Sequence, residues 1–233
     1  MDYLSNIELY YTSPSNCKEN KIRVEGDEYK HIIKVMRHSV NDLIHITDGV
    51  GHIFKCRIID SYKDYLDLSI EKILSYESEL SNITFCIPKL KNPERFEFAL
   101  EKSTELGITN FIVFESLRAV SKANKIDRWN KILLSAMKQS LRSFLPKLEV
   151  INSFYELIEF EGEKFIFEQS SEIVFKREFI NQHKKYLFIF GPEGGLTDEE
   201  IKSYEKENLF RIAENRLRTE TAIIKCASIL TKL

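Results

Sequence analysis

No apolar run in the 233-residue sequence approaches the roughly 18 residues a membrane-spanning helix requires. Met1 to Tyr10 lack the basic start and continuous apolar stretch of a signal peptide, so a cytoplasmic protein with no membrane partner is expected. The four cysteines, Cys17, Cys56, Cys86 and Cys226, form no C-x-x-C pair and have no histidine at ligand spacing. They read as reduced, mostly buried thiols, and no metal is expected. Internal repeats and low-complexity tracts are absent. An overall excess of positive charge is missing too: the formal net charge is −2, which argues against binding nucleic acid by general basicity.

The charge is nevertheless unevenly placed. Residues 1–83 carry 10 basic against 14 acidic side chains, residues 84–147 carry 12 against 6, and residues 148–233 carry 12 against 16. A basic middle either releases counterions from a phosphate backbone or forms a solvated helix face, and charge alone leaves both open.

The first part alternates at period two in Lys21–Val24, Leu43–Thr47, His52–Ile59 and Tyr65–Ile70, which predicts strands. Asp48-Gly49-Val50-Gly51 between two of them is a hairpin signal, because Asp-Gly tolerates positive φ. A short helix is expected over Asp27–Met36. We place domain boundaries at 1–74 for this β-rich unit, 75–82 for a polar linker and 83–233 for the remainder. From Ile83 the pattern turns to strand and helix in alternation, an α/β signature. Strands are expected at Ile83–Ile87, Asn110–Phe114, Phe165–Phe167, Tyr186–Phe190 and Leu209–Ile212. Helices are expected from Pro93 to a stop at Gly107, from a cap at Asp127 through Arg142, from Thr197 to about Asn208, and from Thr221 to Leu233.

Three groups of residues could carry chemistry. The strand ending at Phe190 runs into Gly191-Pro192-Glu193-Gly194-Gly195, and ligands in open α/β sheets bind at the carboxyl ends of strands. No G-x-G-x-x-G and no G-K-[ST] is present, so dinucleotide and P-loop readings fail. A plain tight turn remains the alternative. The second group, Arg218-Thr219-Glu220-Thr221, opens an otherwise apolar helix. Thr219 as a cap and Glu220 as a dipole partner account for it, and so does Arg218 neutralising a ligand anion. The third group follows the first strand of the larger region: Lys89, Lys91 and Arg95, then Arg118, Lys122 and Lys125, then Gln139, Arg142 and Lys147. These are candidate phosphate contacts or solvated charge.

Taken in order, these residues resemble a family. Lys91 to Gly107, Arg118, Gln139-Ser140-Leu141-Arg142 with Pro146, Gly191 to Leu196, and Leu217-Arg218-Thr219-Glu220-Thr221-Ala222 look like the ribosomal RNA small subunit methyltransferase E family. His31 to Arg37 and Asp48-Gly49 resemble its N-terminal PUA-like barrel. The resemblance covers nearly the full length. It implies a SPOUT-type α/β parallel-sheet domain with a C-terminal trefoil knot, and a homodimer. It also implies S-adenosylmethionine as cofactor and methyl transfer to N3 of a uridine in 16S rRNA of the small ribosomal subunit. Cofactor positions carry over onto Gly191, Pro192, Glu193, Gly194, Gly195, Ile212, Leu217, Arg218 and Thr219. Arg218 and Arg142 become candidate charge stabilisers, Glu193 and Glu220 candidate bases, and Arg37, Lys89, Lys91, Arg95 and Arg118 candidate RNA contacts. Two departures stand out: Ile212-Ala213-Glu214-Asn215 where the family has Leu-Gly-x-Arg, with Arg216 as a possible substitute, and Lys138 where Glu is common. The rival readings are a SPOUT enzyme acting elsewhere on RNA, including a ribose 2′-OH, and a non-catalytic RNA-binding protein.

Overall fold

The computed structural model describes residues 6–118 and 124–231; Lys122 lies outside them. The chain divides into two compact units, Met1–Ser78 with Met137–Leu145, and Glu79–Ala136 with Pro146–Leu233.

The first unit contains β1 (Leu9–Tyr11), β2 (Cys17–Lys18), β3 (Lys21–Glu25), α1 (Gly26–Lys30), β4 (Leu43–Thr47), β5 (His52–Ser61) and β6 (Tyr65–Ser75). They form one six-stranded sheet in the order β1-β4-β5-β6-β3-β2. The predicted alternation is realised: Ile22, Val24, Ile44, Ile46, Ile58, Leu66 and Leu68 all point into one apolar cluster. The hairpin turn needs its glycines. Gly49 has φ +72° and Gly51 φ +118°, and the Asp48 carboxylate accepts from the Val50 and His52 amides at 2.9 and 3.1 Å. The helix expected over Asp27–Met36 is α1 followed by one wide turn, His31–Val35, in which the Met36 amide donates to His31 O five residues back.

The second unit holds β7 (Ile83–Pro88), α2 (Pro93–Glu105), β8 (Asn110–Phe114), β9 (Lys147–Val150), β10 (Glu163–Phe167), β11 (Tyr186–Phe190), α4 (Asp198–Lys202), β12 (Leu209–Phe210) and α5 (Thr219–Leu230). Most of α3 (Ile126–Gln139) belongs to it as well. Its sheet is parallel throughout, in the order β12-β10-β11-β7-β8-β9. All five residues of β11 are buried, as a strand covered on both faces requires. Phenylalanines bind neighbouring strands together: Phe165 stacks on Phe188 at 5.5 Å between ring centroids and Phe167 on Phe190 at 4.9 Å.

The helix ends differ instructively. At the end of α2, Gly107 (φ +98°) lets its amide reach Thr104 O and the Ile108 amide reach Ser103 O. The same two bonds close α3, from Leu141 to Lys138 O and from Arg142 to Met137 O, around Leu141 at φ +55°. So α3 stops at Gln139 rather than Arg142, and Asp127 sits in its first turn rather than at its cap. After Thr197 and Glu200 form the expected capping box, α4 ends at Lys202 instead of continuing to Asn208. Tyr204 instead turns its ring against Phe154, 5.7 Å away. The last helix starts two residues before the predicted Thr221, and β9 had no counterpart in the sequence reading.

Candidate active site

Three neighbouring parallel strands, β12, β10 and β11, end side by side, and the residues just past their carboxyl ends enclose a cavity of about 670 Å³. It is lined by Phe167 at the end of β10 with Glu168-Gln169 after it, Gly191 to Gly195 after β11, and Phe210 at the end of β12 with Arg211 to Ala213 after it. Arg95 of α2, the loop residues Arg216, Leu217 and Arg218, and Thr219 and Ala222 of α5 close it. The glycine turn and the Arg218 segment, far apart in sequence, therefore share one wall system. Ile212 is buried while the Arg218 side is exposed, giving an apolar floor and a polar rim.

The turn is fixed by bonds from three distant places. The Lys91 amide donates to Glu193 Oε1 at 3.1 Å, Arg118 Nη1 donates to Gly194 O at 2.8 Å, and Thr219 Oγ1 donates to Gly191 O at 3.0 Å. Internally, the Gly195 amide closes on Pro192 O at 2.8 Å. Gly195 takes φ +72°, and a Cβ on Gly191 would meet the Leu196 amide nitrogen at 3.2 Å. Thr219 thus corrects the sequence reading. Arg218 is the N-cap residue of α5 and no side chain caps that end, because a guanidinium carries no acceptor; Thr219 lies one residue inside the helix and donates to the turn.

The charged candidates separate. Glu193 is exposed on the cavity wall. Glu220 is buried, is not among the lining residues, and places Oε1 3.6 Å from Arg95 Nε; its Oε2 has no hydrogen-bond partner among the described residues. Lys89 departs from the expected RNA contact: it is 2 % exposed and its Nζ lies 2.6 Å from Glu115 Oε1, so no solvent-facing ammonium is presented. Arg118 spends its guanidinium on the turn. Arg37 is exposed at φ +60° in the first unit, and Arg142 also belongs to that unit.

A second cavity of about 910 Å³ adjoins the first, sharing Arg95, Glu193 and Gly194 with it. Lys91, Arg95, Arg118, Lys125 and Arg128 make it basic, against Glu94, Glu97 and Glu193. Gln169 and Glu168 were missed from sequence. They directly follow a buried parallel strand, the same positional signal that singled out the glycine turn. Gln169 Nε2 donates to Ala213 O at 3.1 Å and Glu214 O at 3.0 Å, holding the altered loop in place. In that loop Arg216, not Asn215, lines the cavity.

A model of the RNA methyltransferase domain matches residues 77–231 of this chain. The chain belongs to this family. An RNA methyltransferase PUA domain model matches residues 24–71. The Bacillus subtilis (strain 168) protein named Ribosomal RNA small subunit methyltransferase E is 29 % identical over 226 residues, covering 89 % of this chain and 88 % of its own. A Neisseria gonorrhoeae Ribosomal RNA small subunit methyltransferase E, solved bound to S-adenosyl methionine, superposes with a TM-score of 0.81 at 25 % identity, over 96 % of both chains. A probable rRNA-methyltransferase from Porphyromonas gingivalis superposes with the same score at 27 % identity, over 95 % of this chain and 96 % of that one.

The cavity of this RNA methyltransferase suits a nucleoside-sized cofactor in size, since small-molecule sites run to about 300–1,000 Å³. Ile212, Leu217 and Ala222 offer apolar surface for a base, and Arg216 and Arg218 offer positive charge for a carboxylate. Backbone of the glycine turn, free of side chains at three of five positions, allows close approach. Among the described residues, no group of His, Cys, Asp and Glu could hold a metal ion, and no helix is long and apolar enough to cross a membrane.

Proposed function

We propose that this chain transfers a methyl group from S-adenosylmethionine to N3 of a uridine in 16S rRNA of the small ribosomal subunit. The observation carrying this reading is the cavity at the carboxyl ends of β12, β10 and β11, built from the glycine turn and the Arg218 segment within a chain of the RNA methyltransferase family. Gly191 to Gly195, Ile212, Leu217, Arg218 and Thr219 hold the cofactor, which when bound supplies an electrophilic methyl on its sulfonium. The adjoining basic cavity admits the RNA, with Lys91 and Arg95 on its wall.

N3 of uridine is an imide N–H on the pairing edge, so the enzyme must take an unpaired or extruded base. The N3 proton leaves, the N3–C bond forms and the S–CH3 bond breaks, its electron pair staying on sulfur. Negative charge develops meanwhile on O2 and O4. Glu193 takes the proton in this reading, supported by its exposure on the wall common to both cavities. Arg218, exposed on the cofactor cavity, supports the developing charge, and Arg142 is the second candidate for that role.

The region 1–74 is assigned to RNA binding through residues such as Arg37, 75–82 to a linker and 83–233 to catalysis, in a cytoplasmic homodimer. The PUA domain match at residues 24–71 supports the first assignment. A trefoil knot through the C-terminal segment is part of the same proposal.

Small subunits from a strain lacking the gene, incubated with labelled S-adenosylmethionine, are expected to gain label. Primer extension should then stop at one uridine, since N3 methylation blocks pairing. Absence of label would remove the enzymatic reading, and label without a stop would move it to another position, such as a ribose 2′-OH. Arg218→Ala is expected to lower turnover by about 10²-fold; near-normal turnover with intact cofactor binding would remove Arg218 from the mechanism.

A further inference from the structure

We propose that Arg95 is a catalytic residue whose guanidinium, oriented by Glu220, meets the carbonyl oxygens of the acceptor base as charge develops there. The assignment rests on the methyltransferase reading above and deepens it, because nothing in the family match or the names of the relatives assigns a role to Arg95.

Methyl transfer requires donor and acceptor atoms to meet where their two binding spaces join. Among the described residues only Arg95, Glu193 and Gly194 line both cavities. Gly194 contributes backbone whose carbonyl is already bonded to Arg118, and Glu193 is negative. Among the described residues Arg95 is therefore the one positive side chain that lines both cavities. Its side chain is about one-third exposed, so a base entering from the basic cavity reaches it.

The rival role for Arg95 is a phosphate contact, and its pairing argues against that. Glu220, whose side chain is 10 % exposed, sits in the first turn of α5 with Oε1 3.6 Å from Arg95 Nε. A buried carboxylate at the positive end of a helix, in ion-pair range of the guanidinium, draws it to that side while offsetting its net charge. Such a group is poor at releasing counterions and well suited to a preorganised hydrogen bond in the transition state. Lys91 and Lys125 line the same basic cavity and suit phosphate as mobile point charges. Glu220, enclosed and outside both linings, is a positioning residue rather than the base.

In the reaction, the imide loses its N3 proton to Glu193, and charge spreads to O2 and O4 facing the guanidinium. The N3–C bond then forms as the S–CH3 bond breaks. Arg95 neither gains nor loses a proton.

The test compares wild type with Arg95→Gln, Arg95→Lys, Glu220→Gln and Lys91→Gln, using small subunits from a strain lacking the gene. It measures kcat, KM for subunits, pH dependence, salt dependence and calorimetric affinity for S-adenosylmethionine. Arg95→Gln is expected to lower kcat by about 10²-fold with cofactor affinity and KM changed by only a few-fold. Its rising pH limb should move to higher pH, because the uracil ring that has lost its N3 proton is left without its stabiliser. Arg95→Lys should recover part of kcat, and Glu220→Gln should lower it about tenfold with a smaller shift of the same limb. Lys91→Gln should instead raise KM and flatten the salt dependence. Since Arg95→Gln leaves Glu220 unpaired, the double variant Arg95→Gln/Glu220→Gln guards against misfolding and should show the same kcat loss. Unimpaired kcat in a folded Arg95→Gln or double variant, or a defect confined to KM and salt slope, overturns the assignment while wild type remains active. A wild-type chain that binds the cofactor yet methylates no subunit overturns the proposed activity and this assignment with it.

Discussion

The hydroxyl of Thr219 donates to the carbonyl of Gly191 at 3.0 Å, tying the first residue of α5 to the first residue of the glycine turn. Thr219→Val keeps the shape and removes the donor, leaving the Gly191 carbonyl without this partner. The expected loss in denaturant-induced unfolding is about 1–2 kcal/mol, with weaker binding of S-adenosylmethionine. Thr219→Ser should retain most of both, and equal behaviour of the two variants would show that the hydroxyl bond is immaterial.

Gln169 reaches two consecutive carbonyls of the loop that carries Arg216. Gln169→Leu is expected to release that loop and weaken cofactor binding by about tenfold, while the melting temperature changes little. Gln169→Glu should be worse, since a carboxylate would face two carbonyl oxygens. Titration calorimetry on the three chains measures this directly.

In the first unit, Lys138 Nζ lies 2.9 Å from both carboxylate oxygens of Glu28, and Glu28 Oε1 also accepts from the Tyr11 amide. Both side chains are less than one-quarter exposed. Lys138→Glu would set two carboxylates against each other here. A loss of about 2 kcal/mol is expected, discounted for partial exposure. Glu28→Gln in the same chain should recover a large part, and a double-mutant cycle reads the coupling.

Burial and the facing Lys55 hold the His45 imidazole below its ordinary value of 6.5. Its folded-state value is depressed, so its contribution is present above about pH 6.5 and is lost as pH falls through the lower folded value. His45→Gln should therefore flatten the melting temperature against pH in that window, leaving the neutral side unchanged. A slope identical to wild type would assign the acid sensitivity to other groups.

Burial pushes the thiol of Cys17 up to about 11 and that of Cys56 up to about 12, and raises those of Cys86 and Cys226 as well. Because the thiolate is the reactive form, the native chain at pH 8 should react only slowly with an aromatic disulfide reagent, and four thiols should appear after denaturation. A fast native thiol would contradict the packing around these residues.

Where local chemistry and tertiary structure agree, the elements were legible in the residues. Asp48-Gly49 announces its hairpin, Pro93 and Gly107 bracket α2, and Thr197 with Glu200 marks a helix start. The over-extended α3 has a physical cause: Leu141 adopts positive φ without being glycine, so nothing in the sequence signals the stop. The helix after Thr197 was read too long because Tyr204 leaves it to pack with Phe154, a contact between residues far apart. In the site, the glycine turn and Arg218 were visible as motifs. The inward pairing of Lys89 with Glu115 and of Arg95 with Glu220 was not, because a basic residue looks the same in sequence whether its partner is a phosphate or a carboxylate.

The bonds that fix the glycine turn arrive from Lys91, 102 positions from Glu193, from Arg118, 76 positions from Gly194, and from Thr219, 28 positions from Gly191. Contacts of such sequence separation close large loops and so form late when a chain folds. During synthesis the pocket cannot be complete until α5 has emerged, so a nascent or C-terminally shortened chain would display folded strands yet have no place for the cofactor. Ligand binding then reports on completion of the whole catalytic unit, and a ligand held only by the finished state raises the stability of every part that must fold before it.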